Sequence, residues 1–401
     1  MAMQKSEYYG GIQNLLRAAS ILDRVEKGGS QRMSDDPYMK TQIITYMGNK
    51  RKIIKHIDDA IVIVKEELGL QEISAGDGFS GSGIVSRLLK KHSHLLYAND
   101  ISGYSETLNK CYLASPNEEL QEEIKKQIQQ ANIIAEEKNH GRSWISRHWA
   151  PKSDKIEPGE RAYYTHENGL RIDAVRNYID TLPERIKPFI LAPLLVASSI
   201  NANTNGQFSA YFKDEQGIGS FGGKKKACLS RITKPINIQT PIFCHKDCDV
   251  NVTKMDTNKW VTELPELDLV YYDPPYNKHA YSVYYFMLDI INNWDLYVDI
   301  PDTNRGQPKN WVKSDYNSFT NAKQALLQLI SNTKSKYILL SYNSCGIIPI
   351  NELDISLQQF GHVRKMPIEH KTYNRLKGMV DYKRKEEKEK NEEFLWLIRK
   401  I

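Results

Sequence analysis

The chain is poor in the features that would settle its class at once. Its 401 residues hold only 5 cysteines, Cys111, Cys228, Cys244, Cys248 and Cys345. The number is odd, the spacing is scattered, and only Cys244 and Cys248 stand close, with no matching second pair. A disulfide framework or a paired-cysteine zinc site is therefore not expected, and no metal site is assigned. Long apolar runs are also missing. The longest, Phe189 to Ile200, is about half the length of a membrane span and contains Pro193. Between Met1 and Gly11 no basic-then-apolar leader pattern occurs. Charge of one sign is lacking too: 55 Lys and Arg against 49 Asp and Glu leave +6. That excludes a histone-like charge density but permits a localised basic groove. Phenylalanine is scarce, 10 against 23 tyrosines, a ratio that suits wet interfaces and base stacking. These gaps together predict a cytoplasmic protein with no membrane partner.

What is present is enough apolar material for a core. Hydrophobic residues make up 40% of the chain, so either one large domain with an insertion or two domains is expected. Residues 1–40 read as an extension with a short docking helix carrying Ile12, Leu15, Leu16, Ala19 and Leu22. Ile53, Ile57 and Ile61 share one face of a helix that follows Asn49. Glu72-Ile-Ser-Ala-Gly-Asp-Gly is a strand entering a glycine loop, Gly83–Lys91 is helical, and Leu95–Asp100 is a second strand. Strand, glycine loop, helix and strand open a parallel α/β sheet. Residues 111–240 differ. They contain a charged helix over 118–138, a helix capped by Thr165, a buried helix over Phe189–Ile200 and the Gly-rich stretch Gly217–Lys226. The strand rhythm returns at Ile242, with further strands at Leu267–Tyr272, Tyr337–Tyr342 and Phe394–Arg399. The expected division is therefore an extension (1–40), a first catalytic part (41–110), a mostly helical insertion (111–240) and a second catalytic part (241–401).

Three constellations fall at strand ends, where open α/β sheets bind ligands. Asp273-Pro274-Pro275-Tyr276 follows an apolar strand directly; its prolines fix a rigid turn that gathers a carboxylate, exposed carbonyls and a ring. Asp77-Gly-Phe79-Ser-Gly81-Ser-Gly83 links a strand to a helix, where glycines let backbone approach a ligand. It lacks the Gly-Lys-Ser/Thr ending of a phosphate-cradling loop. Asn99-Asp100 ends the next strand, where an acid binds ribose hydroxyls or caps a helix.

In this order, preceded by Tyr46-Met-Gly48-Asn-Lys50, these motifs resemble the DNA adenine methylase (Dam) type of N6-adenine DNA methyltransferase, from about Gln42 to the C-terminus. The resemblance implies a Rossmann-like sheet that uses S-adenosyl-L-methionine, split by a target-recognition module. By resemblance Tyr46, Gly48 and Lys50 contact the cofactor, and Asp77, Phe79, Gly81 and Gly83 hold its methionine moiety. Asp100 matches the acid that binds the ribose, and Asp247, with Asp249 as the alternative, matches the acid that reads the cofactor's adenine. Gly78 stands where proline is common, which implies a looser loop. Ser341-Tyr342-Asn343 resembles a strand bordering the base pocket.

The adenine amino nitrogen is a weak nucleophile, because its lone pair is delocalised into the ring. Hydrogen bonds to the Asp273 carboxylate and the Pro274 carbonyl would localise that pair, and Tyr276 would stack on a base flipped out of the duplex. None of the cysteines sits in a nucleophile context, which argues against cytosine C5 chemistry. Contacts to double-stranded DNA are expected from Lys224, Lys225, Lys226 and Arg231, from the basic stretch Lys371–Lys390, and from Asn201–Gln207 as a reader of base edges. The expected setting is a bacterial or phage-borne enzyme, a monomer or weak dimer, with any cognate restriction endonuclease making no direct contact. The alternatives are methylation of RNA adenine or of cytosine N4, and a non-catalytic DNA-binding regulator on the same fold.

Overall fold

The computed structural model describes residues 36–45, 48–137, 141–278, 280–309, 314–369 and 392–401. Seven strands form one sheet in the order β3-β2-β1-β4-β5-β7-β6. They are β1 (Ile73–Asp77), β2 (Ser93–Asp100), β3 (Asp249–Lys254), β4 (Leu267–Tyr272), β5 (Ser335–Asn343), β6 (Gly361–Glu369) and β7 (Glu392–Lys400). β1 to β5 are mutually parallel, whereas β7 runs antiparallel between β5 and β6. From β1 the chain moves outward to β2 and β3, then returns to β4 on β1's other side. That reversal opens a crevice beyond the strand ends, where ligands bind in such sheets.

β4 shows why the sheet needs helices on both faces. Every residue of Leu-Asp-Leu-Val-Tyr-Tyr is buried, so there is no wet face to alternate with. Leu269 and Tyr271 pack with α1 (Ile54–Leu68) and α2 (Ile84–His92). Val270 and Tyr272 pack with α7 (Thr257–Glu263), α9 (Ala322–Asn332) and α10 (Ile350–Leu357) on the opposite face.

Between β2 and β3 lie α3 (Gly103–Tyr112), α4 (Glu118–Glu136), α5 (His166–Asp180) and α6 (Lys187–Asn201), with no sheet strand among the described residues there. The side chain of Thr165 caps α5 by accepting from Asn168 N. Their apolar faces share one core with α8 (Tyr281–Asn293), which follows β4. Tyr163 and Phe208, for example, pack edge-on against Phe286. The module's core therefore reaches past both 111 and 240, recruiting the helix after Asp100 and the helix after Tyr276. β3, β6 and α7 to α10 are additions to the elements that the sequence pattern suggested. The docking helix expected within the first 35 residues and the Lys371–Lys390 stretch lie outside the described residues. Among the described residues, no helix is long and apolar enough to cross a membrane.

Candidate active site

The loop after β1 is tied down from within. Asp77 is 1% exposed and accepts from Ser86 Oγ at 2.6 Å and Phe79 N at 3.3 Å. Burial pushes its carboxyl up to about 7, against the pull of those bonds. Asp77 thus shapes the loop rather than lining its mouth. Asp100, at the end of β2, accepts from Gly81 N and Ser102 N, both at 2.9 Å, so the acid and the glycine loop are one unit. Burial raises its pKa despite those bonds. Gly83 N closes the turn on Ser80 O at 2.7 Å.

Gly78 corrects an expectation. It is not a loose point: its N–H donates to Tyr271 O at 3.0 Å and its carbonyl accepts from Thr257 Oγ1 at 2.9 Å. A Cβ there would stand 2.6 Å from the Tyr272 ring. Glycine is present because aromatic β4 fills the space that a side chain would need.

Lys50 follows a turn in which Gly48 has φ +74, with Tyr281 Oη and Tyr276 Oη closest to where a side chain would begin. The 5% exposed Lys50 ammonium lies 3.0 Å from Asp273 Oδ1 and hydrogen-bonds Glu393, on β7. Burial works against its charge, but Asp273 and Glu393 outweigh that and hold it above the ordinary lysine value. The Asp273 contact is an ion pair in which the ammonium stands at hydrogen-bonding distance but is poorly aimed, so that among the described residues Asp273 Oδ1 is a buried oxygen that receives no well-directed hydrogen bond. Burial pushes the Asp273 carboxyl up to about 7, Lys50 opposing the rise and Glu393 adding to it. The Tyr276 ring stands edge-on to Tyr342 at 6.1 Å, and its carbonyl accepts from Ile347 N at 3.0 Å. Ser341 and Asn343 donate to Glu393 at 2.9 and 3.2 Å, so the expected base-pocket strand supports this carboxylate. Tyr46 lies outside the described residues.

Phe79, Asp100, Asp273 and Pro275 converge on a cavity of about 370 Å³, within the range of small-molecule sites. Asp256, Asp289 and Asp295 also line it, and Lys254 is the one basic residue among the described lining. Burial pushes Asp289 up to about 7, Asp100 adding to the rise. Asp247 and Asp249 are elsewhere. Both are exposed, and Asp249 opens β3 opposite Leu95, whereas Lys254 at the other end pairs with Asp100. A strand of that length separates them from the cavity by roughly 17 Å. The acid at the cavity edge of β3 is Asp256, whose Oδ1 caps α7 by accepting from Asn258 N at 3.0 Å and Lys259 N at 3.2 Å. The sequence signal for it was the alternation Val250-Asn-Val-Thr followed by an Asp N-cap.

The expected DNA contacts divide. Lys225 and Lys226 are exposed, each in a left-handed backbone conformation. Nothing is described of the Lys224 side chain. Arg231 is turned inward: its guanidinium donates to Ile200 O, to Ala202 O at 2.9 Å and to Thr204 O at 3.1 Å. These are orphan carbonyls at and beyond the end of α6, so Arg231 closes a helix instead of facing phosphate. Asn201 and Asn203 are likewise committed. Asn201 donates to Lys234 O at 2.8 Å, and Asn203 donates to Ala162 O at 2.9 Å. Arg231→Ala is therefore expected to lower the melting temperature, a loss of about 1–3 kcal/mol from unpaired carbonyls. Lys225→Ala with Lys226→Ala should leave the melting temperature unchanged and reduce the salt dependence of DNA binding by about two counterions. Melting curves and salt titrations check both.

Known proteins share much of this sequence. A family model described as D12 class N6 adenine-specific DNA methyltransferase matches residues 46–353. The type II methyltransferase M.NlaIII of Neisseria lactamica is 27% identical over 364 residues, covering 89% of this chain and 99% of that protein. M.CviAII of Paramecium bursaria Chlorella virus 1 is 23% identical, over 82% of this chain and 92% of its own. M.FokI of Planomicrobium okeanokoites is 25% identical over 88% of this chain but only 52% of its own length. With the matching model spanning the glycine loop, the acid-lined cavity and Asp273-Pro-Pro-Tyr276, this chain belongs to the D12 class of DNA methyltransferases.

Proposed function

We propose that the chain transfers a methyl group to N6 of an adenine flipped out of double-stranded DNA, at a defined sequence. The observation that carries this is the buried Asp273 oxygen that receives no well-directed hydrogen bond, beside a cation and at the edge of the cavity. Such an oxygen is an acceptor held ready for an amino group. S-adenosyl-L-methionine, when bound, supplies the electrophilic methyl group. The carboxylates lining the cavity suit its positive charge. Asp100 would hold the ribose, with Phe79 at the glycine-loop side. Asp256 would take the adenine-reading role that the motif resemblance gives to Asp247.

Asp273 accepts from the target amino group, the Pro274 carbonyl offers a second acceptor, and Tyr276 stacks on the extruded base. Together they draw the lone pair out of the ring and aim it along the line of transfer. The helical module, taken as 111–240, would read the sequence. The type II names of the relatives support a place in a restriction-modification system. We take the protein to be cytoplasmic and to work as a monomer or weak dimer, with any cognate endonuclease acting separately.

Labelled S-adenosyl-L-methionine and duplex DNA, followed by digestion to nucleosides, test this reading. N6-methyladenine is the expected product. Label appearing in N4-methylcytosine, or only in RNA, would overturn it. The placement of Asp256 has its own test. Asp256→Ser keeps the helix cap but withdraws the carboxylate, and should weaken cofactor binding about tenfold or more. Asp247→Ala should leave binding unchanged. Equilibrium dialysis compares the two, and the reverse ranking would restore Asp247.

A further inference from the structure

The Lys50 ammonium has two carboxylates within reach, and it hydrogen-bonds the one farther from the cavity. Glu393 is 7% exposed at the start of β7 and is clamped by Ser341 Oγ and Asn343 Nδ2 from β5. Burial alone would raise its pKa, but the Lys50 charge and these donors hold it below the usual carboxylate value. It is thus a buried, ionised carboxylate fixed by Lys50, Ser341 and Asn343, and the methyl-transfer scheme gives it no part.

Resting on the functional reading above, we propose that Glu393 is the positioning residue of this active site. It claims the hydrogen bond of Lys50, so that Lys50 lends Asp273 its charge while Asp273 Oδ1 stays free to accept from the target amino group. Without Glu393, the nearest acceptor for Lys50 is Asp273 itself, 3.0 Å away. The ammonium would then aim a charge-assisted bond at the oxygen that the substrate needs and draw its electron density away from the target amino group, weakening the acceptor in a buried site. Glu393 therefore works against the tightest Lys50–Asp273 pair, and that restraint is its function.

Several groups face this cluster. Asp273 and Tyr276 come from the turn after β4, Tyr271 from β4 itself and Asp77 from the end of β1. Tyr281 approaches from α8, and Lys50 precedes α1. The tyrosines stay neutral at working pH, with Tyr276 pushed up to about 12 by burial. Asp77 is unchanged in every variant below, so a difference between variants reports on Glu393.

The test compares single-turnover methyl transfer by the full-length protein, Glu393→Ala and Glu393→Gln across pH, with cofactor and DNA dissociation constants measured separately. For Glu393→Ala the rate should fall about 10²-fold. Its acid limb should move to lower pH, because Asp273 loses a like charge and gains a closer cation. Both dissociation constants should stay within about threefold. Glu393→Gln keeps an oxygen for Lys50 and should recover most of the rate while retaining the shift of the acid limb. A Glu393→Ala enzyme with the wild-type rate and pH profile would overturn the proposal. So would cofactor affinity falling in step with the rate and no recovery in Glu393→Gln, the signature of a merely structural residue. Absence of N6-methyladenine with the wild-type enzyme would instead bring down the functional reading itself.

Discussion

Asp273→Ala is expected to lower methyl transfer by about 10³-fold or more while leaving cofactor affinity within a few-fold. Two features of the site set that size. On the proposed reading the carboxylate is the acceptor for the target amino group, and Glu393, the other described carboxylate held against Lys50, is not among the cavity-lining residues. Its removal also leaves the buried Lys50 charge with Glu393 as its remaining carboxylate among the described residues. Cofactor affinity should be spared because the cavity-lining Asp100, Asp256 and Phe79 hold their places through bonds that do not involve Asp273. Parallel loss of both quantities would show Asp273 to be structural. The wild-type rate has a predicted pH dependence as well. The ionised carboxylate is the stronger acceptor for an amino group, and burial pushes this carboxyl up to about 7. Transfer should therefore fall as pH drops below about 7 and level off above about 8, with Asp77 and the cavity-lining Asp289 titrating in the same range.

Gly78→Pro is expected to destabilise the protein by about 3 kcal/mol or more, even though proline is common at this place in the family motif. Two independent losses combine. Proline has no N–H to give to Tyr271 O, leaving a buried carbonyl unpaired, at a cost of about 1–3 kcal/mol. Its Cβ would also collide with Tyr272 and with Thr257 Cγ2, and overpacking of this kind costs roughly 1–3 kcal/mol. Gly78→Ala isolates the second loss and should cost correspondingly less. Thermal unfolding of both variants is the measurement. If Gly78→Pro melts with the wild type, the loop has room that its packing denies. A combined Tyr272→Ala change should relieve the steric part and leave the hydrogen-bond part.

The two sites differ in how far the sequence announces them. β4 and its Asp-Pro-Pro-Tyr turn are written in consecutive letters, and so is the glycine loop. Both are local, because a parallel strand buried on two faces needs an unbroken apolar run and its exit needs a turn. The motif resemblance points to the acid in His245-Lys-Asp247-Cys, one strand length before Asp256, the acid that lines the cavity. The half-exposed alternation of β3 carries a weaker signal than a buried strand. Glu393 was invisible for another reason. It closes a run of acids at Glu386, Glu387, Glu389 and Glu392, where it reads as one more solvated charge. Only the pairing of β5 with β7, Asn343 opposite Glu393, moves it into the centre. Arg231, Asn201 and Asn203 failed in the opposite direction. Polar letters near the end of a helix look like a surface that reads DNA, yet terminal carbonyls that the helix cannot satisfy consume them first.

The position of β7 has a kinetic consequence. Lys50 and Glu393 are 343 residues apart in the chain, and they meet only when the last strand slots between β5 and β6. An antiparallel strand that enters the interior of a sheet needs both neighbours in place, so this contact belongs to the slow, late part of folding. The glycine loop and Asp100 sit on β1 and β2, neighbours in sequence as well as in space, and can form early. During refolding, competence to hold the cofactor should therefore appear before competence to transfer its methyl group. The interval between the two would measure insertion of a single strand.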